Sequence, residues 1–218
     1  MAAVKRGLGQ RMASGSDFKT ISAPTSLQEF QTSALQASSR RLRQPIGIIG
    51  PSDGNAACCQ AAYAVAYRLA ACGLAMVCGG RGGVMEAASR GAFEAGGTVI
   101  GLLPESTEAA ANAYLTIALP TGMGEMRNAL IATSSICLIA IGGGMGTLSE
   151  MAFGLKLGKP VFCLYPEFSL PGATPVANVD ETVAQVLGWL LQREQPGTLA
   201  TATFDASAAV ANRQKPSR

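Results

Sequence analysis

The sequence predicts an α/β protein: a single doubly wound, mainly parallel sheet of the Rossmann-like kind, with helices on both faces. Short apolar runs alternate with longer helix-like segments between residues 45 and 194, the pattern of strands buried on both sides by crossover helices. Three of those runs empty into glycine-rich turns, at Gly50–Gly54, Gly79–Gly83 and Gly142–Gly146. With 218 residues and 48% hydrophobic content, the chain can bury one domain well but not two.

The elements follow in order. Ile46–Gly50 reads as a short strand, followed by an Ala-rich helix to about Ala71. Leu74–Cys78 is the second strand and Val84–Ala95 its helix. Thr98–Leu103 is a third strand, stopped by Pro104, and Tyr114–Leu119 a short extended piece. Gly124–Thr133 reads as a helix, Ile136–Ile141 as a strand, and the segment after the three glycines as a helix to about Leu157. That helix is expected to carry Ser149 and Glu150 in its first turn. Pro160–Leu164 is a further strand and Glu181–Leu191 a last amphipathic helix. Right-handed crossovers make the sheet doubly wound, and ligands of such sheets bind beyond the carboxyl ends of the strands.

Charge separates the ends from the middle. Residues 1–44 hold seven basic and two acidic side chains, residues 195–218 three and one, and residues 45–194 seven and eleven. The formal net charge of +3 therefore sits on the ends, while the expected domain is acidic. A nucleic-acid surface would place basic charge on the fold, so no nucleic-acid partner is expected. Residues 1–44 read as a disordered basic arm, with a transit peptide as the alternative, and residues 195–218 as a loose tail. The six cysteines show no framework spacing, and no secretory signal is visible. They read as reduced core residues in a cytoplasmic compartment, or an organelle stroma if the arm is a transit peptide. The chain contains no histidine, which excludes His-based triads and His metal sites; no metal site is expected. No apolar stretch is long enough to cross a membrane, so no membrane partner is expected.

The densest chemistry lies in Ile139-Ala-Ile-Gly-Gly-Gly-Met-Gly-Thr-Leu-Ser-Glu150. An apolar strand turning through glycines into a helix brings backbone close to a ligand, and the helix start offers free N–H groups and a positive dipole end. The candidate phosphate-binding residues are Gly50, Gly79, Gly80, Arg81, Gly82, Gly142, Gly143, Gly144, Met145, Gly146 and Thr147, joined by Arg127 and Glu150. Arg127 is a surface arginine or a planar donor to an anion. Glu150 either complements the helix dipole or accepts from ligand hydroxyls. Met85, Met123, Met126, Met145 and Met151 read as packing residues, with Met145 also placed to line a pocket. The dinucleotide fingerprint is poorly matched, because Pro51 interrupts the first loop and no acidic residue closes the second strand. The GxxxxGK[ST] pattern of P-loop ATPases is absent.

The linked motifs Cys78-Gly-Gly-Arg-Gly-Gly-Val-Met-Glu-Ala, Gly124-Glu-Met-Arg-Asn and Ile141-Gly-Gly-Gly-Met-Gly-Thr-Leu-Ser-Glu resemble those of the Lonely Guy superfamily over about residues 45–165. Within it, the chain is most similar to the branch of molybdenum cofactor carrier proteins. That resemblance implies a homo-oligomer binding a phosphorylated small molecule, molybdopterin cofactor or an AMP-like nucleotide, with no cofactor required for chemistry. The Ala-rich helix near Ala61–Ala71 is the candidate oligomer face. The phosphoribohydrolase branch, which cleaves the N-glycosidic bond of nucleoside 5′-monophosphates, implies catalytic roles for Arg127 and Glu150. Three departures from its pattern stand at Gly142 for proline, Asn128 for lysine and Ile136 for aspartate. The sequence thus leaves a carrier and a hydrolase open, with a regulatory nucleotide sensor as a third reading.

Overall fold

A computed structural model describes residues 26–194. Its seven strands are β1 (Ile46–Ile49), β2 (Met76–Cys78), β3 (Val99–Leu103), β4 (Ile117–Pro120), β5 (Leu138–Ile141), β6 (Val161–Leu164) and β7 (Thr174–Val176). They form one sheet in the order β4-β3-β2-β1-β5-β6-β7. Every neighbouring pair is parallel, with Ile48 opposite Ile139 and Val77 opposite Ile100. The six helices are α1 (Leu27–Gln36), α2 (Ala56–Ala71), α3 (Val84–Glu94), α4 (Asn128–Ser134), α5 (Met145–Lys156) and α6 (Val179–Arg193). The doubly wound parallel sheet expected from the sequence is the fold observed.

The two-residue period of a strand sends alternate side chains to opposite layers. In β5, Ile139 and Ile141 join Ile46, Val65, Leu69 and Leu187 in a core beneath α2, α3 and α6. Leu138 and Ala140 point the other way and meet Ile131 and Met151 of α4 and α5. Helix starts are fixed by side-chain caps: Asn55 Oδ1 accepts the Cys58 amide at 2.9 Å, and Asn178 Oδ1 the Glu181 amide at 2.9 Å. All six cysteines are free and five are buried.

Four features differ from the sequence reading. Residues 27–36 of the expected arm are helical. Ser26 and Glu29 form a reciprocal capping box, and Glu29 Oε1 pairs with Arg68 Nε of α2 at 2.8 Å. Residues 1–25 and 195–218 lie outside the described residues. The segment expected as one helix at Gly124–Thr133 is a 3-10 turn, Gly124–Arg127, running into α4. β7 was not expected, because Pro175 argues against a strand; as a sheet edge, β7 tolerates it. The small residues of α2 are already covered within the chain, with Ala61, Ala62, Ala66 and Ala70 buried. A Cβ at Gly91 of α3 would lie 2.2 Å from the Tyr63 carbonyl oxygen, so the two helices meet backbone to backbone. That part of the alanine run packs within the chain, while Ala64 is half-buried and Ala71 exposed.

Candidate functional site

The chain winds from β1 outward through β2, β3 and β4, then returns to β5 beside β1 and winds outward the other way. The crevice between β1 and β5 at their carboxyl ends is therefore the switch point of the sheet, where such folds take ligands. A cavity of about 260 Å³ opens there. Its walls come from the loop after β1 (Gly50, Pro51, Ser52, Asp53), from Arg81 and Met85 after β2, from Glu125, Arg127 and Asn128, and from α5 (Gly144 to Thr147, and Glu150).

The start of α5 is shaped by glycine. Gly144, the N-cap, has φ 148° and ψ 162°, a conformation that residues with a Cβ rarely adopt. The first helical bond of α5 runs from Leu148 N to Gly144 O at 2.9 Å. The amides of Met145, Gly146 and Thr147 precede that bond and belong to residues lining the cavity, at the positive end of the helix dipole. Asn128 Nδ2 donates to Ser149 Oγ at 2.9 Å, which donates to the Gly146 carbonyl at 2.7 Å. This chain braces the first turn from below.

A buried pair of ionisable side chains, Arg127 and Glu150, also lines the cavity. Arg127, at the end of the 3-10 turn, is only 4% exposed, and Glu150 is 5% exposed. Arg127 Nη1 stands 3.5 Å from Glu150 Oε1, too long for a strong hydrogen bond, and Arg127 Nε has no partner. Burial outweighs that neighbouring guanidinium and pushes the Glu150 carboxyl up to about 8, and Glu125 adds to the rise. The guanidinium has room because residue 79 is glycine: a Cβ there would lie 2.5 Å from Arg127 Nη1. Arg81 also reaches the cavity wall, but its guanidinium is engaged by Glu105 through both Nε and Nη2, and Nη1 stands 3.8 Å from Glu125. The Arg81 guanidinium in turn lowers the Glu105 carboxyl.

Eight of the candidate residues line the cavity: Gly50, Arg81, Arg127, Gly144, Met145, Gly146, Thr147 and Glu150. The others support it. Gly79 clears space for Arg127, while the Gly80 carbonyl accepts from Asn112 N and Nδ2. A Cβ at Gly82 would lie 3.6 Å from the Ser52 carbonyl oxygen, so the first two loops lie side by side there. The Gly142 amide donates to Leu164 O at 2.9 Å, extending the β5–β6 ladder, and Gly143 packs against Glu167. Of the amides of residues 142–147, that of Gly142 is thus engaged within the sheet. Glu150 lies in the second turn of α5, not the first, because the helix already begins at Met145. Met85 and Met151 are buried as packing residues, whereas Met123, Met126 and Met145 are exposed. Sequence reasoning passed over Ser52, Asp53, Glu125 and Asn128 as wall residues; only their position beside the glycine motifs pointed to them.

A parallel sheet wound outward from a central crevice, with a glycine-turned helix start at its carboxyl edge, defines a Rossmann-like α/β protein. More particularly, the model of the SLOG cluster4 family matches residues 43–198, and the chain belongs to that family. A protein of Archaeoglobus fulgidus is 39% identical over 142 residues, covering 63% of this chain and 91% of its own. Among solved structures, the molybdenum cofactor binding protein of the phototrophic bacterium Rippkaea orientalis is 33% identical. It superposes with a TM-score of 0.65, over 68% of this chain and 99% of that one. The Moco carrier protein of Chlamydomonas reinhardtii is 34% identical with a TM-score of 0.63, over 69% and 99% of the two chains.

Proposed function

We propose that this protein binds a phosphorylated small molecule at the β1/β5 crevice and acts as a carrier, with molybdopterin cofactor as the first candidate ligand and a nucleoside monophosphate as the second. The observation that carries the reading is Arg127, a buried guanidinium with an unpartnered Nε that lines the same cavity as the three helix-start residues. A buried unsatisfied donor is costly, and an anion in the cavity is the natural acceptor for it and for the amides. The similarity to the two molybdenum cofactor proteins supports the choice of ligand. The residues present suit such a ligand: backbone amides and Arg127 would take the phosphate, and Glu150 and Asn128 would face a polar ring edge. Among the described residues no group of His, Cys, Asp and Glu could hold a metal ion, so a metal would come within the ligand.

The hydrolase reading asks Glu150 to be ionised, so that its negative charge stabilises an oxocarbenium-like ribosyl group. Burial works against that, since it favours the protonated carboxyl at neutral pH. A carrier has no such requirement. The test is mass spectrometry of small molecules retained through gentle purification, paired with incubation of the protein with AMP. A retained molybdopterin or nucleotide, lost in Arg127→Ala, supports the carrier. Release of free adenine that disappears in Glu150→Ala would replace it with the hydrolase.

A further inference from the structure

Two arginines line the cavity, and they are held differently. Arg127 is buried with Nε unpartnered, whereas Arg81 gives both Nε and Nη2 to a single oxygen, Glu105 Oε1. Glu105 is not itself a wall residue, and its other oxygen, Oε2, is buried with no partner. A bidentate arginine–carboxylate fork uses both oxygens, so this pair is only half made. Arg81 Nη1 stands 3.8 Å from Glu125 Oε1, beyond hydrogen-bond reach. The main chain is fixed on both sides of the pair: Asn112 Nδ2 donates to the Arg81 carbonyl at 3.1 Å, and the Gly122 amide to the Glu105 carbonyl at 2.9 Å. Arg81 can therefore leave Glu105 for the cavity by side-chain rotation alone.

We infer that Glu105 sets the affinity of the cavity for its anion, by competing with the ligand's phosphate for Arg81. The inference rests on the reading that a phosphorylated molecule sits at the start of α5. The two side chains of the pair are 38% and 31% exposed, and ion pairs this open to water are weak. A phosphate monoester offers nearly two negative charges and three acceptor oxygens against the one oxygen that Arg81 now uses. Once bound, it draws the guanidinium across. Glu105 is then left with both oxygens unpaired, one of them buried, and that cost is subtracted from the affinity. A carrier gains from the subtraction, because it must also let its cargo go. Glu105 touches no ligand in this scheme; it is a positioning residue that acts through Arg81.

The test is titration of the full chain with inorganic phosphate at constant ionic strength, followed by the amide NMR shifts of Met145, Gly146 and Thr147. Glu105→Gln keeps the shape of the side chain and removes its charge; it is expected to bind phosphate at least fivefold more tightly than wild type. Glu105→Ala is a second variant with the same expected gain. In an Arg81→Ala background the gain from Glu105→Gln should fall below twofold, since there is no guanidinium left to release. A structural role for Glu105 predicts weaker binding in its variants, so a gain separates the two. Unchanged or weakened binding in both Glu105 variants overturns the inference while leaving the carrier reading in place. An equal gain with and without Arg81 overturns it too, because it reports simple repulsion by Glu105 rather than competition. Phosphate that shifts none of the three amides in any of these proteins sinks the inference and the carrier reading together.

Discussion

Glu150→Gln isolates the buried carboxyl from every other titrating group. In the folded protein this carboxyl is raised from 4.5 to about 8, so between those pH values the native state holds a proton that the unfolded chain has released. Stability from this group is then complete below about pH 4.5 and falls as pH rises towards 8. Each pH unit crossed between those limits costs about 1.4 kcal/mol, so the whole window amounts to at most on the order of 5 kcal/mol. Glutamine mimics the neutral acid and has no proton to lose. The assay is urea unfolding of both proteins at pH 5, 6, 7 and 8, with the difference in unfolding free energy plotted against pH; titrations common to both proteins cancel. The stability of Glu150→Gln relative to wild type should rise by up to about 1.4 kcal/mol per pH unit. Parallel curves refute the argument. They would mean that Arg127 at 3.5 Å outweighs burial and holds Glu150 ionised across this whole range.

Three other perturbations test the remaining structure. Gly79→Ala puts a methyl 2.5 Å from Arg127 Nη1 and 2.6 Å from Met85 Sδ; we expect about 1–3 kcal/mol of destabilisation and at least tenfold weaker ligand binding by calorimetry. Gly91→Ala, which on an exposed helix would gain up to about 1 kcal/mol, should instead lower stability by about 2–3 kcal/mol in urea unfolding, because its methyl meets the Tyr63 carbonyl. Deleting residues 1–40 removes the Glu29 partner of Arg68 and should lower the unfolding midpoint. Ligand affinity should change less than about twofold, because α1 docks on α6 and beside Gly73 before β2, at the sheet edge opposite the cavity.

The sheet was legible because its central strands are continuous apolar runs and three of them end in glycine. Those same turns point to the carboxyl edge of the central strands, where the cavity opens. What the text concealed depended on partners far along the chain. Gly79 looks like any turn glycine until Arg127, from beyond β4, is seen lying against it. Nothing local marks Arg127 as buried, since its neighbours Met126 and Glu125 are exposed. The capping text Ser26-Leu-Gln-Glu29 was present, but the residues that α1 buries, Glu29 and Thr32, are polar, where a periodicity argument looks for an apolar inner face. β7 was hidden by Pro175, which only its place at the sheet edge makes tolerable.

The winding of the sheet has a consequence for how a ligand would be kept. The two lips of the crevice, Gly50–Asp53 and Gly144–Thr147, belong to opposite halves of the chain, each half folding away from the other. Neither half alone can hold a guest, so release by partial unfolding of either lip is equivalent to dismantling the pocket. A bound molecule would act as a rivet between the halves and slow the opening of both. Its signature would be slower amide hydrogen exchange in β1 and β5 together, the two central strands, rather than at the cradle alone.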